Sequence, residues 1–365
     1  MLRWAGRAVL LFAASLLLLA AARADAAWWQ RHVVVPACYL PPAPWLLPAF
    51  RIGMTAVAGA LLGLAFALRP TWSGAARTGV ALLAALAAVE LTLRVLERPE
   101  RSARHPRLEW LLGVADPRSG WSFVPRTHVR FGAPGGGPVI DYSVDRHGDR
   151  APSVDFVEDL RAPTLIVTGE SIAVGHGLPW SETFAAQAGA RLGLQVVNVA
   201  EGGYGSDQAL LRARDALQRL QRPALLVSTV LPVQLHRNLD DSRPHMELRD
   251  GQLQLDGPFA PRLLLRELIA DRVQVLPEWR LQKSLRLTRA ILEATAQVAR
   301  EHGAHPLFLA PVYGPPPALL RELLQGLPAT IVQLEPARIM PWDGHPDAEG
   351  ARSMADAVVQ YFSSP

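Results

Sequence analysis

Apolar residues are distributed unevenly along this chain. Val9 to Ala22 is a nearly unbroken Leu/Ala run behind Arg3 and Arg7, Leu46 to Leu68 is a second run ending at Arg69-Pro70, and Thr78 to Leu96 is a third, with Glu90 and Arg94 in its last turns. The second and third approach the ~20 residues that a helix needs to cross a bilayer core. Charges near their ends can reach the interface, and Trp28, Trp29, Trp45 and Trp72 lie where interface aromatics belong. The first run has the basic flank, apolar core and small-residue exit of a signal peptide, and fits an uncleaved membrane helix equally well. The pattern predicts a membrane anchor over residues 1–107 with two or three transmembrane helices. Burial as core helices is the competing reading, but three such runs in series with arginines at their ends are hard to bury in water.

Beyond residue 107 the pattern changes to mixed polar and apolar positions. Residues 108–160 form a β-rich lead-in, with Gly120-Trp121, Pro125, a Gly135-Gly136-Gly137-Pro138 turn and an alternating strand over Val139 to Val144. It is too small for a core of its own and should lean on the residues C-terminal to it. Residues 161–365 then alternate continuous apolar runs with helix-period segments. The strands are centred on Leu165–Val167, Val196-Val197, Leu225–Val227, Leu307–Leu309 and Ile331-Val332. The helices run over Glu182–Leu192, Gln208–Leu220, Leu281–Glu301, Pro317–Leu324 and Asp347–Phe362. This alternation predicts an α/β fold: a parallel sheet covered on both faces, in three layers. A hairpin over Met246 to Leu255, turning at Asp250-Gly251, is inserted between the third and fourth strands.

Composition narrows the function classes. Half of the 365 residues are apolar and 19% are charged; Lys plus Arg exceeds Asp plus Glu by 37 − 33 = 4, with Lys283 the only lysine. The arginines are dispersed instead of gathered in a stripe, so no nucleic-acid partner is implied. Arg212, Arg214, Arg219 and Arg222 are expected on a solvated helix face. The single cysteine, Cys38, excludes an internal disulfide framework and a Cys-based metal site. On orientation, the signal-like start favours an extracytoplasmic domain, whereas Arg98, Arg101, Arg104 and Arg107 after the third run oppose it under the positive-inside tendency.

In an open α/β sheet the reactive groups lie beyond the carboxyl ends of the strands. Ser171 follows the first strand in a strand-to-helix turn, where its hydroxyl can face a site and its own N–H can meet an oxyanion; a helix cap is the plain alternative. Glycines after the second strand, Gly202-Gly203 and Gly205, suit an oxyanion donor or an ordinary tight turn. Asp343 and His345 precede the last helix. A serine nucleophile needs a base, and that base needs an orienting carboxylate; this pair supplies both from one segment. No second histidine stands at ligand spacing beside His345, so a metal site is not expected. His176 is expected to be a solvent-facing loop or helix residue.

Together, Gly169-Glu170-Ser171, Asn198…Gly203-Tyr204-Gly205 and Asp343-Gly344-His345-Pro346, in this order and on these elements, resemble the SGNH or GDSL-like hydrolases. The resemblance covers roughly residues 160–362 and implies a flavodoxin-like three-layer sheet. Asp116…Gly120-Trp121 with Asp145…Gly148…Arg150 is similar to the β lead-in of membrane-anchored members. The resemblance implies Ser171 as nucleophile, His345 as base and then acid, Asp343 as its orienting partner, and the N–H groups of Ser171 and Gly203 as oxyanion donors, with no cofactor. Two positions depart from the family pattern. Glu170 stands where aspartate is usual, and no asparagine follows the third strand; Gln234 is the candidate replacement donor, ahead of His236 and Asn238. The loss of one such donor costs on the order of 10²–10³ in turnover.

The resulting expectation is a membrane-anchored serine esterase acting on acyl esters, including envelope carbohydrate or lipid esters. The alternatives are a polysaccharide O-acyltransferase using the same triad, and a non-catalytic component of an envelope polysaccharide assembly.

Overall fold

The computed structural model describes residues 2–34, 45–67, 77, 80, 83–84, 86–92, 113–132, 138–241, 243–257, 274–314, 316–340 and 344–363. Cys38, nine of the nineteen residues of the third apolar run, Arg98, Arg101, Arg104, Arg107 and Asp343 lie outside them. The described chain divides into two compact units.

The first unit contains α1 (Leu2–Arg23), α2 (Ala26–His32), β1 (Val33–Val34) and α3 (Leu46–Ala67), together with the short strand β12 (Gln274–Val275). Arg7 Nε donates to Ala65 O at 2.7 Å and its guanidinium lies 5.3 Å from the Phe66 ring. The start of α1 therefore sits beside the end of α3, and the two helices run antiparallel. Trp29 meets Phe50 edge-on at 5.4 Å at the opposite end. Among the described residues one helix, Leu47–Phe66, is long and apolar enough to cross a membrane, and Ile52, Val57 and Phe66 on it are exposed. Residues 86–92 of the third run are helical. β1 pairs antiparallel with β12.

The second unit is built on an eight-stranded sheet. In chain order its strands are β4 (Thr127–Gly132), β5 (Val139–Val144), β6 (Arg150–Ala151), β7 (Thr164–Thr168), β8 (Gln195–Asn198), β9 (Pro223–Thr229), β13 (His305–Tyr313) and β14 (Ala329–Leu334), and their spatial order is β14-β13-β9-β7-β8-β6-β5-β4. The five strands from β14 to β8 are parallel. β7 is buried along its whole length, as a central parallel strand of continuous apolar sequence should be.

Four further helices cover the sheet: α5 (Phe184–Leu192), α6 (Ser206–Arg219), α8 (Glu278–Glu301) and α10 (Ala348–Ser363). They pack in pairs, α6 with α8 and α5 with α10. The short α9 (Ala318–Leu324) lies in the connection from β13 to β14. Ile166 and Leu226 join Ala213, Leu217 and Ala299 in one core layer; by alternation, Leu165, Val167, Leu225 and Val227 point to the other face. A separate hairpin, β10 (His245–Arg249) and β11 (Gln252–Asp256), fills the expected insertion.

The five strands expected within residues 161–365 form the parallel part of this sheet. The lead-in strands β4, β5 and β6 extend it in antiparallel fashion, β6 joining β8 through Arg150 and Asn198. Consecutive strands joined by short turns can only return antiparallel. The lead-in also supplies the hairpin of β2 (Gly113–Asp116) and β3 (Gly120–Phe123).

The seam between lead-in and α6 is ionic. Asp149, almost fully buried, takes Arg212 at 2.6 Å and also Arg219, while buried Glu158 takes His147 at 2.9 Å, Arg146 at 3.4 Å and Arg219 at 3.5 Å. Arg212 and Arg219, spaced i and i+7 on one helix face, are therefore inward ion-pair residues and not part of a solvated face. Burial alone would lower the Arg212 pKa; Asp149, with Tyr204, Glu201 and Asp215, outweighs it and holds the group above its ordinary value. Replacing Asp149 by alanine is expected to lower the unfolding free energy by about 3–5 kcal/mol, because inward Arg212 loses its ion-pair partner and Arg219 keeps only Glu158. Urea denaturation measures this, and a loss no larger than that of an exposed ion pair would contradict the buried seam.

Candidate active site

The candidate site is assembled from three turns, and a glycine starts the first. β7 ends at Thr168, and Gly169 adopts φ +137°; a Cβ there would stand 2.0 Å from Thr229 Oγ1 at the end of β9. Only a residue without a side chain allows the two strand ends to approach this closely. Glu170 then caps the one-turn helix α4 (Ser171–Val174), its carboxylate accepting from Ile172 N at 3.0 Å.

This turn sets Ser171 at the carboxyl edge of the sheet, 6% exposed. Its Oγ lies 2.7 Å from His345 Nε2 and 3.0 Å from Glu170 Oε2. Glu170 is fully buried, and its other carboxylate oxygen accepts from Thr229 Oγ1 at 3.1 Å. A serine hydroxyl has one proton to donate. Donation to His345 generates the nucleophile, whereas donation to Glu170 leaves His345 as the donor and the serine unactivated.

His345 comes from the turn that precedes α10. The turn is closed by Met340 N donating to His345 O at 2.9 Å, by a bridge between Ile339 and Pro346, and by Asp347 N donating to Arg338 O at 3.0 Å. Asp347 caps α10 through Gly350 N at 2.8 Å. Asp343, the expected orienting carboxylate, is outside the described residues.

The third turn follows β8. Glu201 N donates to Gly169 O at 3.2 Å and Asn198 Nδ2 to Ala173 O at 2.8 Å, so this turn is tied to the one bearing Ser171. The lead-in hairpin supports it from beyond: Trp121 Nε1 donates to Gly202 O at 3.0 Å, Phe123 N to Glu201 Oε2 at 2.9 Å, and Tyr204 Oη to Trp121 O at 2.7 Å. Burial and the neighbouring Glu201 push the Tyr204 pKa up, which keeps this phenol a donor. Gly203 sits in the turn at φ +78°, and a Cβ on it would meet Trp121 at 3.5 Å.

Gln234 is placed differently from its expected role. It is completely buried at the start of α7 (Gln234–Arg237); its amide nitrogen donates to Thr229 O at 3.2 Å, and its oxygen accepts from Ser206 Oγ at 3.1 Å and Leu231 N at 3.2 Å. It makes no hydrogen bond to Ser171 or His345. These are the bonds of a loop brace. Asn238 is likewise engaged, accepting from Ser206 N and donating to Thr288 Oγ1, each at 2.8 Å.

His176, expected to face solvent, instead borders the site. It stacks on His345, with ring centroids 4.4 Å apart and planes at 32°. Its flanking glycines, Gly175 and Gly177, are the signal that marked a constrained turn. A cavity of about 10 Å³ beside the two rings, bordered by Ile172, Phe184 and Met354, is no larger than one water. Among the described residues no cluster of His, Cys, Asp and Glu has the arrangement of a metal site.

No protein-family model and no curated protein matches the chain. Solved structures are similar to it, several of them named as G-D-S-L or SGNH proteins. The similar structures include TesA (18% identity, 55% of this chain and 98% of that one, TM-score 0.35) and a member of the lipolytic protein G-D-S-L family from Veillonella parvula (10%, 55% and 97%, TM-score 0.33). AlinE4, an SGNH-hydrolase family esterase, matches at 16% identity over 56% of this chain and 96% of its own, with a TM-score of 0.30. At these identities and scores, the functional reading rests on the geometry of the site.

The brace role of Gln234 makes a prediction. Gln234→Ala leaves Thr229 O, Leu231 N and Ser206 Oγ short of a partner and is expected to lower stability by about 1–3 kcal/mol. Equal denaturation midpoints for variant and wild type would refute the brace.

Proposed function

We propose that the chain is a membrane-anchored serine esterase of the SGNH type. The observation that carries the proposal is the 2.7 Å approach of Ser171 Oγ to His345 Nε2 at the carboxyl edge of a parallel sheet. A serine and a histidine at this distance form a nucleophile and its base.

In this reading, Ser171 Oγ attacks the acyl carbonyl carbon as its proton passes to His345 Nε2. The oxyanion is met by the backbone N–H groups of Ser171 and Gly203, and Asp343 orients the imidazole. Collapse of the tetrahedral intermediate breaks the ester C–O bond, and the departing alcohol takes the proton from His345. Water then gives a proton to His345 and attacks the acyl-serine; collapse breaks the Ser171 Oγ–acyl bond, Oγ takes that proton back from His345, and the acid is released. A sugar hydroxyl in place of that water would give acyl transfer by the same steps. Envelope carbohydrate and lipid esters fit a domain attached to a membrane.

The domain is proposed to face away from the cytoplasm. Arg3 and Arg7 at the start of α1 favour a cytoplasmic N-terminus, which puts the chain after α1 outside. β1 pairs with β12 there, and from Val275 the chain runs directly into the α/β domain. One further crossing is needed between α3 and β2, and Thr78–Leu96 has the length for it.

Full-length protein in detergent is expected to hydrolyse short activated esters and to react with a fluorophosphonate. Ser171→Ala and His345→Ala should each reduce hydrolysis on the order of 10⁴-fold or more. Full activity in Ser171→Ala would end the proposal. For orientation, a reporter that functions only outside the cytoplasm should be active when fused behind Ser363; activity of a cytoplasm-only reporter there would reverse the placement.

A further inference from the structure

We infer that His176 is a positioning residue that holds the His345 imidazole against Ser171, an inference resting on the esterase reading above. The stack of the two rings at 4.4 Å is the visible contact, and the way His176 itself is held gives it meaning. The Tyr142 hydroxyl donates to Gly175 O at 2.8 Å and accepts from Gly177 N at 3.0 Å, gripping the backbone on both sides of His176. His176 N donates to Ser171 O at 2.9 Å, so the same residue is fastened to the nucleophile's own turn.

The turn takes a backbone conformation that favours glycine on both sides of His176. Gly175 and Gly177 have φ of +78° and +73°, and a Cβ on Gly175 would lie 2.3 Å from Thr183 Cγ2. Beneath the turn, the Arg150 guanidinium covers the Tyr142 ring at 3.6 Å and donates to Leu178 O at 3.2 Å. Arg150 is 1% exposed, and its Nε and Nη1 have no acceptor among the described residues. Burial lowers its pKa. An arginine in such a place is unfavourable on its own, and what it supports is the 175–178 turn.

The lead-in strands β5 and β6 thus reach the chemistry through two packed layers: Tyr142 and Arg150 fix the turn, and the turn presents one ring to another. His345 sits on a turn before α10 with a cavity of about 10 Å³ at its side. Without the His176 ring that cavity opens, and the imidazole can rotate away from Ser171 Oγ. A misplacement of about 1 Å at a reacting group costs on the order of 10²-fold in rate.

The test uses the full-length protein with an activated ester and a fluorophosphonate. His176→Ala is expected to lower kcat and the labelling rate on the order of 10²-fold with KM and Tm near wild type, and His176→Phe, which restores a flat ring, to recover most of the loss. Tyr142→Phe keeps the ring under Arg150 but releases both backbone bonds, and should lower kcat in the same manner. Wild-type kcat in a folded His176→Ala would overturn the inference, as would a raised KM that phenylalanine does not correct, which marks a substrate contact. Ser171→Ala run in parallel separates the two failures: if it stays active the esterase reading falls, and if it is inactive while His176→Ala is normal only the positioning role falls.

Discussion

The contact between Ser171 Oγ and His345 Nε2 joins residues 174 positions apart in the chain, and the rest of the second unit can be understood as the means of keeping it. Each group is placed by a local turn held against a distant strand or helix. Ser171 depends on where β7 stops and on Gly169, which lets the end of β9 pass within contact distance. His345 depends on a turn pinned between Arg338 and α10. The parallel register of β8, β7, β9 and β13 aligns the ends of these strands on one edge, where three turns from distant parts of the chain meet.

The lead-in strands are structural members of that same sheet. β6 caps the parallel part through Arg150 opposite Asn198, and this pairing hides an edge that would otherwise be open to other chains. The lead-in also contributes the polar interior: Asp149 and Glu158 with their arginines, and Arg150 on Tyr142. Charges removed from water are tolerated only when paired or stacked, and such pairs permit few alternative arrangements. The lead-in is therefore locked to α6 and to the 175–178 turn in one register.

The first unit carries apolar residues on its surface. Ile52, Val57 and Phe66 on α3 are left uncovered by protein, and a helix of 22 residues is about 33 Å long at 1.5 Å per residue, enough for a hydrocarbon core. Arg7 on α1 meets the carbonyl of Ala65 and the ring of Phe66 on α3, which pairs α1 with α3 at one end.

The amino-acid sequence by itself determined where strands and helices form, because hydrophobic period is a local property: the buried run of β7, the amphipathic α6 and the turn at Asp250-Gly251 are written in consecutive residues. It also singled out Ser171 and His345 as candidates, since each lies near the start of a helix and has a side chain of the type acyl transfer uses. Tertiary structure alone decided what each polar side chain meets. Arg212 and Arg219 turn inward because Asp149 lies opposite them, Gln234 braces a loop because Thr229 and Ser206 surround it, and His176 reaches His345 because Tyr142 holds its backbone. The partners in each case come from distant segments, and the fate of a polar group is set by its partner and not by its own type. That the lead-in strands would join the sheet edge antiparallel was not legible for the same reason, since strand direction depends on which strands become neighbours.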